Sequence, residues 1–171
     1  MKNEFQFKSI YNEYAKLVYN LSLHYLKNQE DAQEATQDVF VKIYKKIEGF
    51  NNKSSLKTWI YRITINHCLD VIKSKNRKLR TLFSREYEDN DKIDFDHPGI
   101  KIESKEAVER IMGAIGELPE NQKTALILKS IEGLSQKEIA EILSIKEKAL
   151  ESLLSRARAN LKKTIKWKTR H

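Results

Sequence analysis

From Phe7 onward the apolar residues fall at Phe7, Ile10, Tyr11, Tyr14, Leu17, Val18, Leu21 and Tyr25. Steps of three and four place them on one stripe, so the pattern predicts a helix with one buried face. The polar stretch KNQED interrupts it. Ala35, Val39, Ile43 and Ile47 then recur four apart and predict a second helix, which Gly49 ends. A loop-like FNNKSS follows, with Ser54 or Ser55 placed to cap a third helix. That helix carries Leu56, Trp59, Ile60, Ile63, Leu69 and Ile72 and runs into the basic stretch KSKNRKLR. Residues 81–104 contain Pro98-Gly99, show no sustained period and read as a linker, partly ordered at best. Helical spacing returns at Ala107, Ile111 and Ile115, stops near Gly116 and resumes at Pro119, a residue suited to a first turn.

The stretch GLSQKEIAEILSIKEKALESLLSRARANL, from Gly133 to Leu161, predicts two short helices around a tight turn. Ser135 followed by Glu138 is a capping box and marks the start of the first. That helix is expected to bury Ile139, Ala140 and Leu143. After a turn at Ser144, the apolar set continues with Ile145, Leu150 and Leu153. Ala140 is small where the two helices cross, as a helix-turn-helix requires. The expected fold is all-α. Two small helical domains, residues 1–80 and 105–171, are joined by an acidic linker over 81–104, and the second contains the helix-turn-helix.

Composition supports this and narrows the function. A hydrophobic content of 40% builds cores, and only five glycines and two prolines favour helix over sheet. The single cysteine, Cys68, forms no internal disulfide and fits a reducing compartment. No apolar run approaches the ~20 residues of a membrane span, and the start MKNEFQFK lacks a signal-peptide core. A cytoplasmic protein without membrane insertion is expected. The net charge of +8 is uneven: residues 1–80 carry 15 Lys/Arg against 8 Asp/Glu, residues 81–104 carry 3 against 7, and residues 105–171 carry 14 against 9. Two basic blocks flank an acidic strip, so polyanion contacts are expected in two separate places.

Three groups of residues are candidates for function. Asp31, Glu34 and Asp38 share one helix face, with glutamines and Phe40 nearby, and suit a basic protein surface or simply water. Trp59 and Tyr61 with Lys57, Arg62 and Asn66 combine aromatic, basic and amide groups, the set that stacks bases and holds phosphates. Trp59 suits a core position equally well, and the adjacent His67 and Cys68 point apart on a helix, which favours packing over metal ligation. In the helix-turn-helix the outward positions are Lys146, Glu147, Lys148, Glu151, Ser152 and Ser155, followed by Arg156, Arg158, Lys162 and Lys163. The basic residues at the far end grip phosphates. Glu151 repels them; it either accepts from a cytosine amine or sits in solvent paired with Lys148. A stand-alone helix-turn-helix regulator and a metal-dependent nuclease are the competing classes. Nothing in residues 1–80 suggests a ligand pocket, and no histidine or further acidic cluster supports a metal at the acidic strip.

The chain resembles a sigma factor of the extracytoplasmic-function (ECF) group over nearly its whole length except the linker. FKSIYNEYAKLVYNLSLHYL, EDAQEATQDVFVKIYKKIEGF and LKTWIYRITINHCLDVIKSK resemble the family's first domain. ELPENQKTALILKSIEGLSQKEIAEILSI and SLLSRARANLKK resemble its second. The resemblance implies that the helix with Asp31, Glu34, Gln37, Asp38, Val39 and Phe40 docks on a coiled coil of the largest subunit of core RNA polymerase. It implies that Phe50, Asn51, Ser54, Ser55, Leu56 and Lys57, with Trp59, Arg62 and Asn66, engage and open the minus-ten promoter element. The helix-turn-helix would read the minus-thirty-five element through Ser135, Lys146, Glu147, Lys148, Glu151, Ser152, Ser155, Arg156 and Arg158. The acidic linker would thread toward the polymerase's RNA exit path. Glu151 stands where ECF members often carry basic residues. The expected partners are core polymerase, promoter DNA and, in this family, an anti-sigma factor. No cofactor, small-molecule substrate or catalysis is expected.

Overall fold

Asn28 starts the second helix by a local bond: its side-chain oxygen accepts from the Asp31 backbone N–H at 3.0 Å. The computed structural model describes residues 2–51, 53–82 and 111–168, with side chains described for 7–51, 53–77 and 111–165. Its first three helices are α1 (Lys2–Leu26), α2 (Gln29–Lys46) and α3 (Leu56–Leu82). A 3-10 turn, Ile47–Gly49, closes α2. Ser55 caps α3: its hydroxyl accepts from Thr58 N–H at 3.0 Å and donates to the Thr58 hydroxyl at 2.9 Å. α3 continues through the basic stretch and two residues into the segment expected as linker, because Lys, Arg and Leu are good helix formers. The rest of the linker, from residue 83, and Ala107 lie outside the described residues.

The chain divides into two units, Met1–Asp94 and Phe95–His171. In the first, α1, α2 and α3 pack around Ile10, Val18, Val39, Phe40, Ile43, Ile47 and Ile60. The expected four-step stripe of α2 is buried in full. Two aromatics depart from expectation. Tyr11 is 46% exposed at the edge of the α1 stripe, whereas Tyr61, a candidate for stacking on bases, is only 2% exposed and belongs to the core.

The second unit contains a helical stretch over 111–116, then α4 (Glu120–Leu126), α5 (Gln136–Leu143) and α6 (Glu147–Lys168). α4 starts directly after Pro119 and widens into a π turn, Ile127–Ile131, before Gly133 reverses the chain at φ +66°. Both bonds of the capping box form: Glu138 N–H donates to Ser135 Oγ at 3.2 Å, and Ser135 N–H donates to Glu138 Oε2 at 2.9 Å. α5 buries Ile139, Ala140 and Ile142, with Leu143 half-buried; α6 buries Leu150, Leu154 and Ala157, with Leu153 half-buried. Each correction moves the core by one residue, to the member of an adjacent apolar pair that faces the neighbouring helix. Asn160 on α6 ties back to α4 by donating to Gln122 Oε1 at 2.9 Å.

Phe40 is 3% exposed and edge-packed on Phe7, with ring centroids 6.2 Å apart. Its role here is structural. Phe40→Ala should lower the stability of the chain by ~3–5 kcal/mol, read from denaturant unfolding. A loss under ~1 kcal/mol would place its side chain at a surface instead.

Candidate nucleic-acid and partner interfaces

The acidic face of α2 does not simply look into solvent. Asp31, Glu34 and Asp38 border a cleft of about 230 Å³ whose other wall is His67, Val71, Ser74 and Lys75 of α3. Lys75 Nζ donates to the Asp31 carboxylate. His67 inserts between two turns of α2. Its Nδ1 accepts from Lys42 Nζ at 2.7 Å, so the ring proton sits on Nε2, 3.5 Å from Asp38 Oδ2. That second contact is electrostatic, since Nε2 makes no hydrogen bond. Burial lowers the His67 pKa below its ordinary 6.5; the Lys42 ammonium adds to this, while Asp38, Asp70 and Glu34 oppose it. A neutral ring fits its position beside an ammonium.

Of the residues expected at a protein interface, Glu34, Gln37 and Asp38 are exposed and Asp31 is half-buried. Val39 at 0% and Phe40 at 3% present almost no surface, which corrects their expected role: they hold α2 in place from beneath. Three residues that the sequence did not mark as interface candidates stand nearby. Tyr11, Val41 at 49% and Tyr44 at 55% are exposed, with Tyr44 packed on Phe7 at 5.1 Å and Tyr11 on Phe40 at 4.7 Å. The available signal was that Val41 and Tyr44 are apolar residues off the four-step stripe of α2.

The loop before α3 is braced by its own aromatic. Phe50 packs on Trp59 with centroids 5.0 Å apart, and both, with Leu56, are half-buried against the core of the unit. Asn51 is exposed, and its Oδ1 accepts from Lys53 N–H at 3.3 Å. Ser54 is half-buried, while the hydroxyl of Ser55 is engaged in the cap. Lys57 and Arg62 are half-buried and Asn66 is exposed. Trp59, Arg62 and Asn66 are spaced three and four apart, so they share one face of α3.

In the second unit Ser144 takes the left-handed conformation at φ 55°, ψ 42°, where a glycine is more usual. Ile145 N–H donates to Ala140 O at 3.0 Å and Ser144 N–H to Glu141 O at 3.1 Å, which closes α5 and aims α6. Lys146, Glu147, Lys148, Glu151, Ser152, Ser155, Arg156 and Arg158 are all exposed. Ser135, also exposed, spends its hydroxyl on the capping box. Among the described residues no ion pair joins Lys148 to Glu151, the pairing that was one of the two alternatives for Glu151. Ser152 instead donates to Lys148 O at 3.2 Å, and Arg156 Nε to Ser152 O at 3.3 Å. Among the described residues no three His, Cys, Asp or Glu side chains gather where they could hold a metal ion, and no helix is long and apolar enough to cross a membrane.

The chain matches the family models for Sigma-70 region 2 over residues 10–78 and Sigma-70, region 4, over residues 108–161. The ECF RNA polymerase sigma-E factor of Haemophilus influenzae is 30% identical over 165 residues, covering 93% of this chain and 87% of that one. The chain belongs to the ECF group of the sigma-70 family. RNA polymerase sigma factor SigV of Bacillus subtilis is 31% identical over 139 residues, covering 81% of this chain and 78% of that relative. Among solved structures, the sigma factor RpoE of Bartonella quintana, crystallised with the anti-sigma factor NepR, is similar in fold at a TM-score of 0.71. It is 20% identical, with 94% of this chain and 97% of that chain covered. This sigma factor binds core RNA polymerase and promoter DNA and acts in promoter-specific transcription initiation.

His67 carries a testable consequence. Its folded pKa is depressed, so the unfolded chain binds the proton more readily. The stability linked to His67 is therefore full above the ordinary value of 6.5 and is lost as pH falls through the lower folded value. His67→Gln, which stays neutral, should flatten the fall in denaturant midpoint between about pH 7.5 and pH 5.5. An unchanged slope would show that other groups govern this range.

Proposed function

We propose that the sigma factor docks on core polymerase through the outer face of α2 and opens the minus-ten element with the Phe50–Lys57 loop and the Trp59–Asn66 face of α3. It reads the minus-thirty-five element with α6. Residues 1–80 form the polymerase and minus-ten domain, 105–171 the minus-thirty-five domain, and 81–104 the linker. It has no catalysis of its own and works in the cytoplasm, where polymerase and promoters are. The similar RpoE of Bartonella quintana has an anti-sigma partner, and we extend that class of partner to this chain.

The observation that carries the reading is the outward display on α6. Every candidate from Lys146 to Arg158 is exposed, while Leu150, Leu154 and Ala157 hold the helix to its unit. Polar and basic groups on a helix fixed from behind are what groove reading needs. Of the polar candidates on α2, Glu34 and Gln37 stay exposed with Val41 and Tyr44 further along the helix, while Asp31 and Asp38 are engaged with α3. A carboxylate followed along the helix by exposed Val41 and Tyr44 suits a partner surface with a basic group beside an apolar patch.

Purified protein added to core polymerase alone should give specific transcripts from a promoter library; a stand-alone regulator would need another sigma factor. In that assay Tyr44→Ala should weaken core binding more than Glu34→Lys. Exposed ion pairs are worth ~0.2–1 kcal/mol, whereas interface aromatics commonly exceed ~1 kcal/mol. Full core affinity in the double variant would remove this face from the interface.

Melting is tested separately. Asn66→Ala removes an exposed amide and leaves the core intact. If Asn66 holds an unpaired base, transcription from duplex promoters should fall about fivefold, the worth of a ~1 kcal/mol hydrogen bond. A pre-melted bubble should restore it. An equal defect on both templates would assign Asn66 to docking or folding.

A further inference from the structure

Between α2 and α3, His67 holds an unfinished set of bonds. The ring is 7% exposed; Nδ1 accepts from Lys42 Nζ at 2.7 Å, and Nε2 has no hydrogen-bond partner. Asp38 Oδ2 stands 3.5 Å from that orphan nitrogen, on a side chain that is 58% exposed. A buried donor left unsatisfied is costly and uncommon. What an imidazole offers at such a place, and an amide does not, is the gain of a proton not far from neutral pH.

The charges around the ring make the result of that proton one-sided. Among the described residues, Lys42, Asp38 and Glu34 of α2 and Asp70 of α3 act on it; α1 contributes none of them. Asp31 and Lys75, which line the same cleft, are paired with each other. The proton enters at Nδ1, since Nε2 already carries one. Nδ1–H then faces an ammonium, which has three donors and no acceptor, so the contact with Lys42 turns repulsive. On the other side Nε2–H becomes part of a cation and draws in the Asp38 carboxylate.

We propose that His67 is a proton-driven latch on α2: protonation at Nδ1 expels Lys42 and binds Asp38, so that the outer face of α2 loses a carboxylate, gains an ammonium and holds core polymerase less tightly. The latch rests on the reading of that face as the polymerase dock. Asp38 and Lys42 are one helical turn apart, so both changes fall at the same border of the face. Burial and the Lys42 ammonium keep the ring neutral until the pH falls below the ordinary value of 6.5. Acid therefore releases, and neutral pH permits docking.

One arm of the test reads the ring itself, by nitrogen NMR of the full chain with labelled histidine, as wild type and as K42M. Removing the ammonium should raise the pH at which His67 takes its proton; an unchanged midpoint overturns the proposal. The other arm measures Kd for core polymerase with wild type and H67Q between about pH 7.5 and pH 5.5. The ratio of the two at each pH cancels titrations in the polymerase. Glutamine stays neutral and can accept from Lys42, so both proteins should bind alike at the upper end. At the lower end wild type should bind about threefold more weakly, the size of one exposed ion pair lost. A ratio that stays at one overturns the latch. So does a ratio that changes only in step with loss of helix by circular dichroism, since that is unfolding. Tyr44→Ala, measured beside them at the upper pH, separates the two readings. If it weakens binding while the ratio stays at one, the dock stands and the latch falls; if neither changes, both fall.

Discussion

A single left-handed residue decides which side of α6 meets the outside. With Ser144 at φ 55°, α5 ends and α6 begins three residues later at Glu147. A non-glycine residue in that conformation costs about 1–2 kcal/mol. The cost is offset by the two bonds that close α5 and by burial of Ile139 and Ile142 from one helix and Leu150 and Leu154 from the other. Because each residue turns a helix by about 100°, a turn longer by one would swing Leu150 and Leu154 out of the core. The apolar stripe therefore fixes the turn, and the turn fixes which face of α6 is exposed.

In the first unit the same economy is applied to charge. α2 offers its carboxylates to α3 first: Asp31 to Lys75, and Asp38 to the edge of His67, whose other nitrogen takes Lys42. These contacts orient α2 but leave less net negative charge for a partner. The apolar side chains left exposed beside them are Tyr11, Val41 and Tyr44.

Most of this architecture is legible in the sequence because helices with one buried face write a period near 3.6 into it. The capping box at Ser135 and the turn at Ser144 are local chemistry and appear as expected. What fails is what depends on distant neighbours. Ile142-Leu143 and Leu153-Leu154 are adjacent apolar pairs, and only the crossing angle of α5 and α6 decides which member is buried. Tyr61 carries the signature of a base-stacking residue, yet it packs into the core. The ties from His67 to Lys42 and from Lys75 to Asp31 span 25 and 44 residues, and no local pattern announces them.

The acidic residues of α6 have different causes. Glu147 lies in the first turn, where the helix dipole favours a carboxylate by about 0.3–1 kcal/mol. Lys166 and Lys168, in the last turn of α6, are favoured by the same dipole with its sign reversed. Part of the charge gradient along α6 would thus exist without DNA. Glu151 is different: it stands one turn further in, outside the reach of the dipole, exposed and without an ion pair among the described residues. A carboxylate there repels every nearby phosphate and gains only where a base amine donates to it, as cytosine does in the major groove. Among the described residues the folded unit supplies no internal reason for an acid at 151, so under the proposed reading of α6 the reason is a base amine in the groove.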